Sequence, residues 1–258
     1  MLRQQALDAL TLTDISAKLQ AVTALAADCP VDATTVLSCA VPIPGRPLQP
    51  LLVPPTAVPR RSLHTLEGRA ALLHALAHIE CNAINLALDI VWRFVGMPQQ
   101  FYRDWIKVAQ DEAYHFFLLN QHLHTLGYQY GDFAAHDGLW QMAEKTAGDL
   151  LARLALVPRT LEARGLDVTP AIRNKLQQAG DHAAAAILDI ILHDEISHVA
   201  FGNQWFQYLC NARGVAPQSC YRQLLRQYQA WPLRGPFNLA ARQAAGFAAD
   251  ELTALQQP

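Results

Sequence analysis

What this sequence lacks narrows its range before any motif is read. Only 16% of its 258 residues are charged, and the formal net charge is −2 with no long run of either sign. Nothing therefore asks for nucleic acid as a general electrostatic partner, although a small basic patch can hide in a neutral total. The opening MLRQQALDAL lacks the continuous apolar stretch of a signal peptide. No window is apolar without interruption over the length that spans a bilayer, and the best one, residues 72–95, carries His74, His78, Glu80, Asn82, Asn85, Asp89 and Arg93. No membrane partner is expected. Cys29, Cys39, Cys81, Cys210 and Cys220 are odd in number and contain no C-x-x-C pair. They read as reduced thiols, mostly packing residues, in a cytoplasmic protein.

What is present is apolar: 52% of residues are hydrophobic, enough for one sizeable core with extra segments around it. Residues 1–28 read as an amphipathic helix with Leu10, Ile15, Leu19, Val22 and Leu25 near one face. Seven prolines between Pro42 and Pro59 forbid regular helix in the stretch that follows. Ile43, Leu48, Leu51, Leu52, Val53 and Val58 interleave with them, so an extended segment lying across a bundle suits it better than a flexible tether. From about Leu66 to Arg213 the pattern is helical. Helix A ends near Val95, and Gly96-Met97-Pro98 turns it into helix B, which Gly127 stops near Leu126. Helix C is predicted over 138–164, kinked at Pro158, with an interruption at Gly165–Pro170. A short piece then reaches Gly180, and helix D follows from its cap Asp181 to about Ala212. Residues 214–258 read as one or two outer helices. The expected divisions are 1–65, 66–213 and 214–258, all within one compact unit.

Each long helix brings an acid to its apolar side. Glu80 falls in the stripe Leu73, Leu76, Ala77, Ile84, Leu88 of helix A. Glu112 and His115 share a face with Trp105, Val108, Phe116 and Leu119. Glu162 lies beside Leu154, Pro158 and Leu161, and Glu195 with His198 lies beside Leu188, Ile191 and Leu192. Buried carboxylates are costly unless protonated, paired or bound to metal. Asp111-Glu112-Ala113-Tyr114-His115 aligns with Asp194-Glu195-Ile196-Ser197-His198, and the match extends to Asn120-Gln121 against Asn203-Gln204. Residues i and i+3 project from adjacent turns of one helix face, so one helix can hand a carboxylate and an imidazole to a single metal. Glu80 precedes Glu112 by 32 residues and Glu162 precedes Glu195 by 33. A Glu from each of two helices plus Glu-x-x-His from each of two others is the ligand set of ferritin-like di-iron carboxylate bundles.

The expected fold is therefore all-α: a ferritin-like four-helix bundle with an N-terminal helix, a proline-rich wrap and C-terminal accessory helices. The expected metal ligands are Glu80, Glu112, His115, Glu162, Glu195 and His198. Oxygen-rich ligation without thiolate favours iron, with manganese or a mixed pair as alternatives. Asp111 and Asp194 are expected to orient a metal-bound histidine from the second rank. Arg159 and Arg164 flank Glu162 as candidates to balance charge or receive an anionic substrate. Tyr114 and Trp105 read as packing aromatics rather than radical sites.

The chain also resembles a bacterial family of ferritin-like proteins of unknown function, over nearly its whole length. The resemblance lies in Pro44-Gly45-Arg46-Pro47 through Leu52-Val53-Pro54-Pro55, in the paired D-E-x-x-H, and in Val157-Pro158-Arg159 to Glu162-Ala163-Arg164-Gly165-Leu166-Asp167. It implies a di-metal site at the same six residues and supplies no reaction. More distantly, the ligand pattern is similar to that of the di-iron hydroxylase of an isopentenylated tRNA adenosine, which keeps a tRNA substrate open. Three functions compete: an oxidase or hydroxylase acting with O₂ on a small substrate and needing an electron donor if an oxygenase; a ferroxidase or iron-binding protein; and a non-enzymatic metal-binding bundle. A homodimer is possible, whereas iron storage would call for a large hollow oligomer.

Overall fold

Capping side chains set the starts of several helices in this chain, and two of these starts, at Asp14 and Asp149, fall where periodicity alone does not put them. The computed structural model describes residues 1–26, 28–59, 61–230 and 233–256. Residues 27, 60, 231, 232, 257 and 258, which fall in the expected N-terminal helix, wrap and accessory helices, lie outside the described residues. The protein is all-helical: among the described residues there is no strand, and the one isolated bridge pairs Leu52 with Ala135. The chain divides into two compact units, Met1–Trp140 and Gln141–Pro258. The division falls inside the expected 66–213 segment.

In the first unit the expected N-terminal helix is two, α1 (Leu2–Thr11) and α2 (Ile15–Thr23). The reason is local. Asp14 accepts a hydrogen bond from Ala17 N at 2.7 Å and so starts a new helix, an N-cap that competes with continuing the old one. Arg3, buried on α1, donates to Val91 O (3.1 Å) and Trp92 O (2.6 Å), and to Asp32 O and Thr35 O at 2.8 and 2.6 Å. Val91 and Trp92 lie in the last turn of α3 (Leu66–Arg93), whose carbonyls have no partner within the helix. Thr65 caps the start of α3, and Gly96 at φ +79° and Pro98 lead into α4 (Gln99–Thr125), which packs against it. α3 is the one described helix whose length and composition suit a membrane span, and 72% of that window is buried inside the protein.

The proline-rich segment is bound down, with Ile43, Val53 and Val58 half-buried but Leu48, Leu51 and Leu52 facing outward. Leu48 is 98% exposed and Leu51 62%. Backbone and polar bonds also hold it: Gly45 N to Leu10 O at 2.8 Å, Val53 N to Ala135 O at 2.8 Å, and Arg46 to Asp137 at 2.7 Å. A Cβ on Gly45 would lie 2.1 Å from Thr11 O, so glycine permits this close approach.

In the second unit the expected helix C is broken early. After α5 (Gly138–Lys145), Asp149 caps α6 (Leu150–Leu156) by accepting from Leu151 N at 3.0 Å. Pro158 does not kink an α-helix but lies in a π-helical segment, Val157–Glu162, where Ala163 N bonds to Pro158 O. Gly202 makes room for it, since a Cβ there would meet the Pro158 ring at 2.6 Å. The predicted interruption at Gly165–Pro170 is absent, and α7 runs from Ala163 to Gln178 through Pro170. Proline cannot satisfy the carbonyl four residues back; that carbonyl, Leu166 O, accepts from Asn238 Nδ2 at 3.2 Å instead. Buried Arg242 holds Asp167 through two bonds of 2.9 and 2.7 Å. Asp181 starts α8 (His182–Ala212) as expected, accepting from Ala184 N at 3.0 Å. The accessory region forms α9 (Pro217–Gln227), α10 (Leu239–Ala244) and α11 (Ala249–Leu255).

Candidate metal centre

In the first unit, one acid from α3 meets an acid and an imidazole from α4. Glu80, Glu112 and His115 are all buried, and each offers a ligand atom within 4.8 Å of the others. His115 Nδ1 lies 3.3 Å from Glu112 Oε2 and 3.6 Å from Glu80 Oε2. The i, i+3 spacing delivers Glu112 and His115 together, while the α3–α4 pairing supplies Glu80.

The electrostatics of this group are those of a site short of positive charge. Burial, then the neighbouring Glu112 carboxylate, pushes Glu80 up to about 8. Burial works against a charged imidazole, yet hydrogen bonds to Glu112 and Glu80 outweigh it and hold His115 up to about 11. Two carboxylates and one ring thus share protons where water is excluded. A divalent cation would meet the same demand with carboxylate and imidazole donors, the chemistry of iron or manganese.

The second unit carries the other Glu-x-x-His pair. Glu195 and His198 are buried on α8, with His198 Nδ1 3.5 Å from Glu195 Oε1. Glu195 Oε2 is buried and has no hydrogen-bond partner among the described residues. An orphaned buried carboxylate oxygen costs about 1–3 kcal/mol or more unless something neutralises it. Glu162 is half-buried at the end of the π-helical segment, a distortion often met at functional sites. The donor set of Glu80, Glu112 and His115 therefore fits a metal ion.

The flanking residues have contacts of their own. Asp111 receives the ammonium of Lys107, one turn back on α4. Asp194 is half-buried, and its carbonyl accepts from Ser197 Oγ at 2.8 Å. Arg159 is buried and pairs with Glu251, a residue that sequence reasoning did not single out; Arg164 is exposed, with Nη1 3.5 Å from Arg234 O. Trp105 is buried and Tyr114 half-exposed.

Sequence reasoning also missed a polar layer on the other side of α3. His78 Nδ1 lies 2.8 Å from Tyr130 Oη, Asn82 Nδ2 lies 3.0 Å from His78 Nε2, and Asn85 Oδ1 accepts from Lys18 at 2.6 Å. Burial pushes His74 and His78 down to about 4, so both rings are neutral. The signal was present in the spacing His74, His78, Asn82, Asn85, Asp89, which marks one helix face.

Over residues 11–253 the chain matches the profile of a family described as "Protein of unknown function (DUF455)". A relative in Haemophilus influenzae, described as "Uncharacterized protein", is 54% identical over 213 residues, which cover 80% of this chain and 74% of that protein. No solved structure matches the chain significantly.

Proposed function

The chain belongs to the family described as "Protein of unknown function (DUF455)", and we propose that it is a di-iron carboxylate protein of ferritin-like architecture that acts with O₂ as an oxidase or hydroxylase. The observation that carries this reading is the buried group of Glu80, Glu112 and His115, whose ligand atoms converge within 4.8 Å. Glu162, Glu195 and His198 supply the matching half of the ligand set. Together these are four carboxylates and two imidazoles, which offset two divalent cations. Manganese, alone or mixed with iron, would suit the same donors.

When bound, two iron ions supply the electrons that reduce O₂. The chain's own residues hold and position them. Glu112 and His115, fixed on one face of α4, present oxygen and nitrogen together, and Glu80 approaches from α3. Buried apolar residues on the same two helices, among them Ala77, Ile84, Trp105 and Phe116, would help to keep bulk water from the carboxylates. The five cysteines are free, which supports a reducing, cytoplasmic setting. A substrate and an electron donor complete the reading.

The test is metal content and magnetism of the full chain, loaded anaerobically with Fe(II). The expected result is two irons per chain with the Mössbauer signature of an exchange-coupled pair after exposure to air, lost in Glu112→Ala and in Glu195→Ala. Empty protein, or two magnetically isolated irons, overturns the proposal. A large hollow oligomer on size exclusion would favour iron storage over oxygenation.

A further inference from the structure

The guanidinium of Arg159 is fixed by everything around it except its counter-ion. The residue is 4% exposed. Phe206, Tyr221 and Phe247 place ring centroids 5.0, 4.7 and 4.9 Å from its guanidinium carbon. Asn203 Oδ1 accepts from Nη1 at 3.0 Å, and Asn203 is itself pinned by donating to Ala245 O at 2.7 Å. Three rings and an amide therefore hold the cation in a largely dry site, where a charge-assisted bond to an anion is strong. Its buried Nε–H has no hydrogen-bond partner among the described residues.

The anion now present is Glu251, which accepts from Nη2. Its anchorage is of a different kind. It sits on α11, seven residues long with none of them buried, and the helix is tied down by Glu251 itself, by Gln218 to Asp250, and by Leu252 against a cluster that includes Phe247. Cavities of about 140 and 570 Å³ open beside the ion pair, and Arg159 and Glu251 line both. The smaller one adds Tyr221, Phe247, Leu233 and Leu255 as an apolar wall.

We propose that Arg159 and its aromatic cage form a binding site for the carboxylate of a small organic acid, and that Glu251 is the internal occupant which such a ligand displaces. The guanidinium fork matches a carboxylate in two bonds, and the apolar wall receives the acid's carbon body. Charge selects a monoanion. Arg242 is committed to Asp167, and the charges of Arg222 and Asp250, which both line the smaller cavity, cancel in sum, so displacing Glu251 leaves one positive charge rather than the two a phosphate dianion asks for. The site is independent of the metal reading.

The test titrates the full chain with butyrate by calorimetry, with inorganic phosphate as the comparison. Glu251→Gln removes the competing charge but keeps an amide oxygen to cap Ala248 N, which Glu251 Oε2 does at 3.1 Å. This variant is expected to bind butyrate at least about tenfold tighter than the wild type, and Arg159→Gln added to it abolishes binding. In the wild type, saturating butyrate is expected to speed amide exchange across residues 249–255, a readout that survives if the Arg159 variant fails to fold. Equal butyrate affinity in wild type and Glu251→Gln, unchanged exchange in α11, or preference for phosphate overturns the proposal.

Discussion

Lys18 is the most informative single residue to perturb, because its burial sets a pH dependence of definite sign. The side chain is 1% exposed and donates to Gly45 O (2.8 Å), Asn85 Oδ1 (2.6 Å) and Leu10 O (3.3 Å). Burial pulls the amine down from 10.5 to about 8, with Cys81 opposing the shift and Arg46 adding to it. Below about 8 the ammonium is charged both folded and unfolded, and the fold bears the full cost of burying it. Between about 8 and 10.5 the unfolded chain keeps the proton that the folded chain has released, so stability rises with pH by up to about 1.4 kcal/mol per unit. Above 10.5 both states are neutral and the cost is gone. The whole window is worth about 3 kcal/mol. Lys18→Met has no such titration and leaves three carbonyl oxygens without their donor, each costing about 1–3 kcal/mol. Its deficit against the wild type is therefore expected to widen across the window. Urea unfolding of both proteins at half-unit steps from pH 7 to 10.5 measures it, with groups common to both cancelling in the difference. A deficit that stays constant, or narrows, refutes the burial of a hydrogen-bonded amine as the governing term.

Two further substitutions probe the second unit. Gly202→Ala places a Cβ 2.6 Å from the Pro158 ring, overpacking that should cost about 1–3 kcal/mol; a thermal melt unchanged from the wild type would mean that the π-helical segment yields freely. Asn238→Ala removes the cap of α10 and the bond to Leu166 O, for a loss of about 1–2 kcal/mol. Faster amide exchange through both α10 and the middle of α7 should accompany it, and exchange confined to α10 would show that Pro170 needs no help from residue 238.

Legibility in the sequence followed the range of the interactions involved. The start of α8 was readable because Asp181 caps it three residues away, and the α3–α4 turn because Gly96 and Pro98 act on their own backbones. The Asp14 cap was equally local and was outweighed by apolar periodicity that continued past it, so one helix was expected where two form. The wrap was expected to lie across a bundle by its apolar residues, and only some of them serve: Ile43, Val53 and Val58 are half-buried, Leu48 and Leu51 face outward, and Arg46, Gly45 and Val53 add polar attachments that the pattern did not announce. Nothing near Gly165 or Pro170 announces that residues 238 and 242, more than sixty positions later, hold them in helix.

The sequence by itself determined the register of the candidate ligands, because i, i+3 spacing on an amphipathic helix is a property of one element: Glu112 with His115 and Glu195 with His198 lie 3.3 and 3.5 Å apart as the pattern requires. Only the tertiary structure decided what meets them and what their neighbours do. Glu80 joins Glu112 and His115 because α3 packs on α4, and Arg159 pairs with Glu251 at a separation of 92 residues. Such pairings depend on which surfaces burial brings together, a free energy shared across whole elements. Local spacing does not contain it.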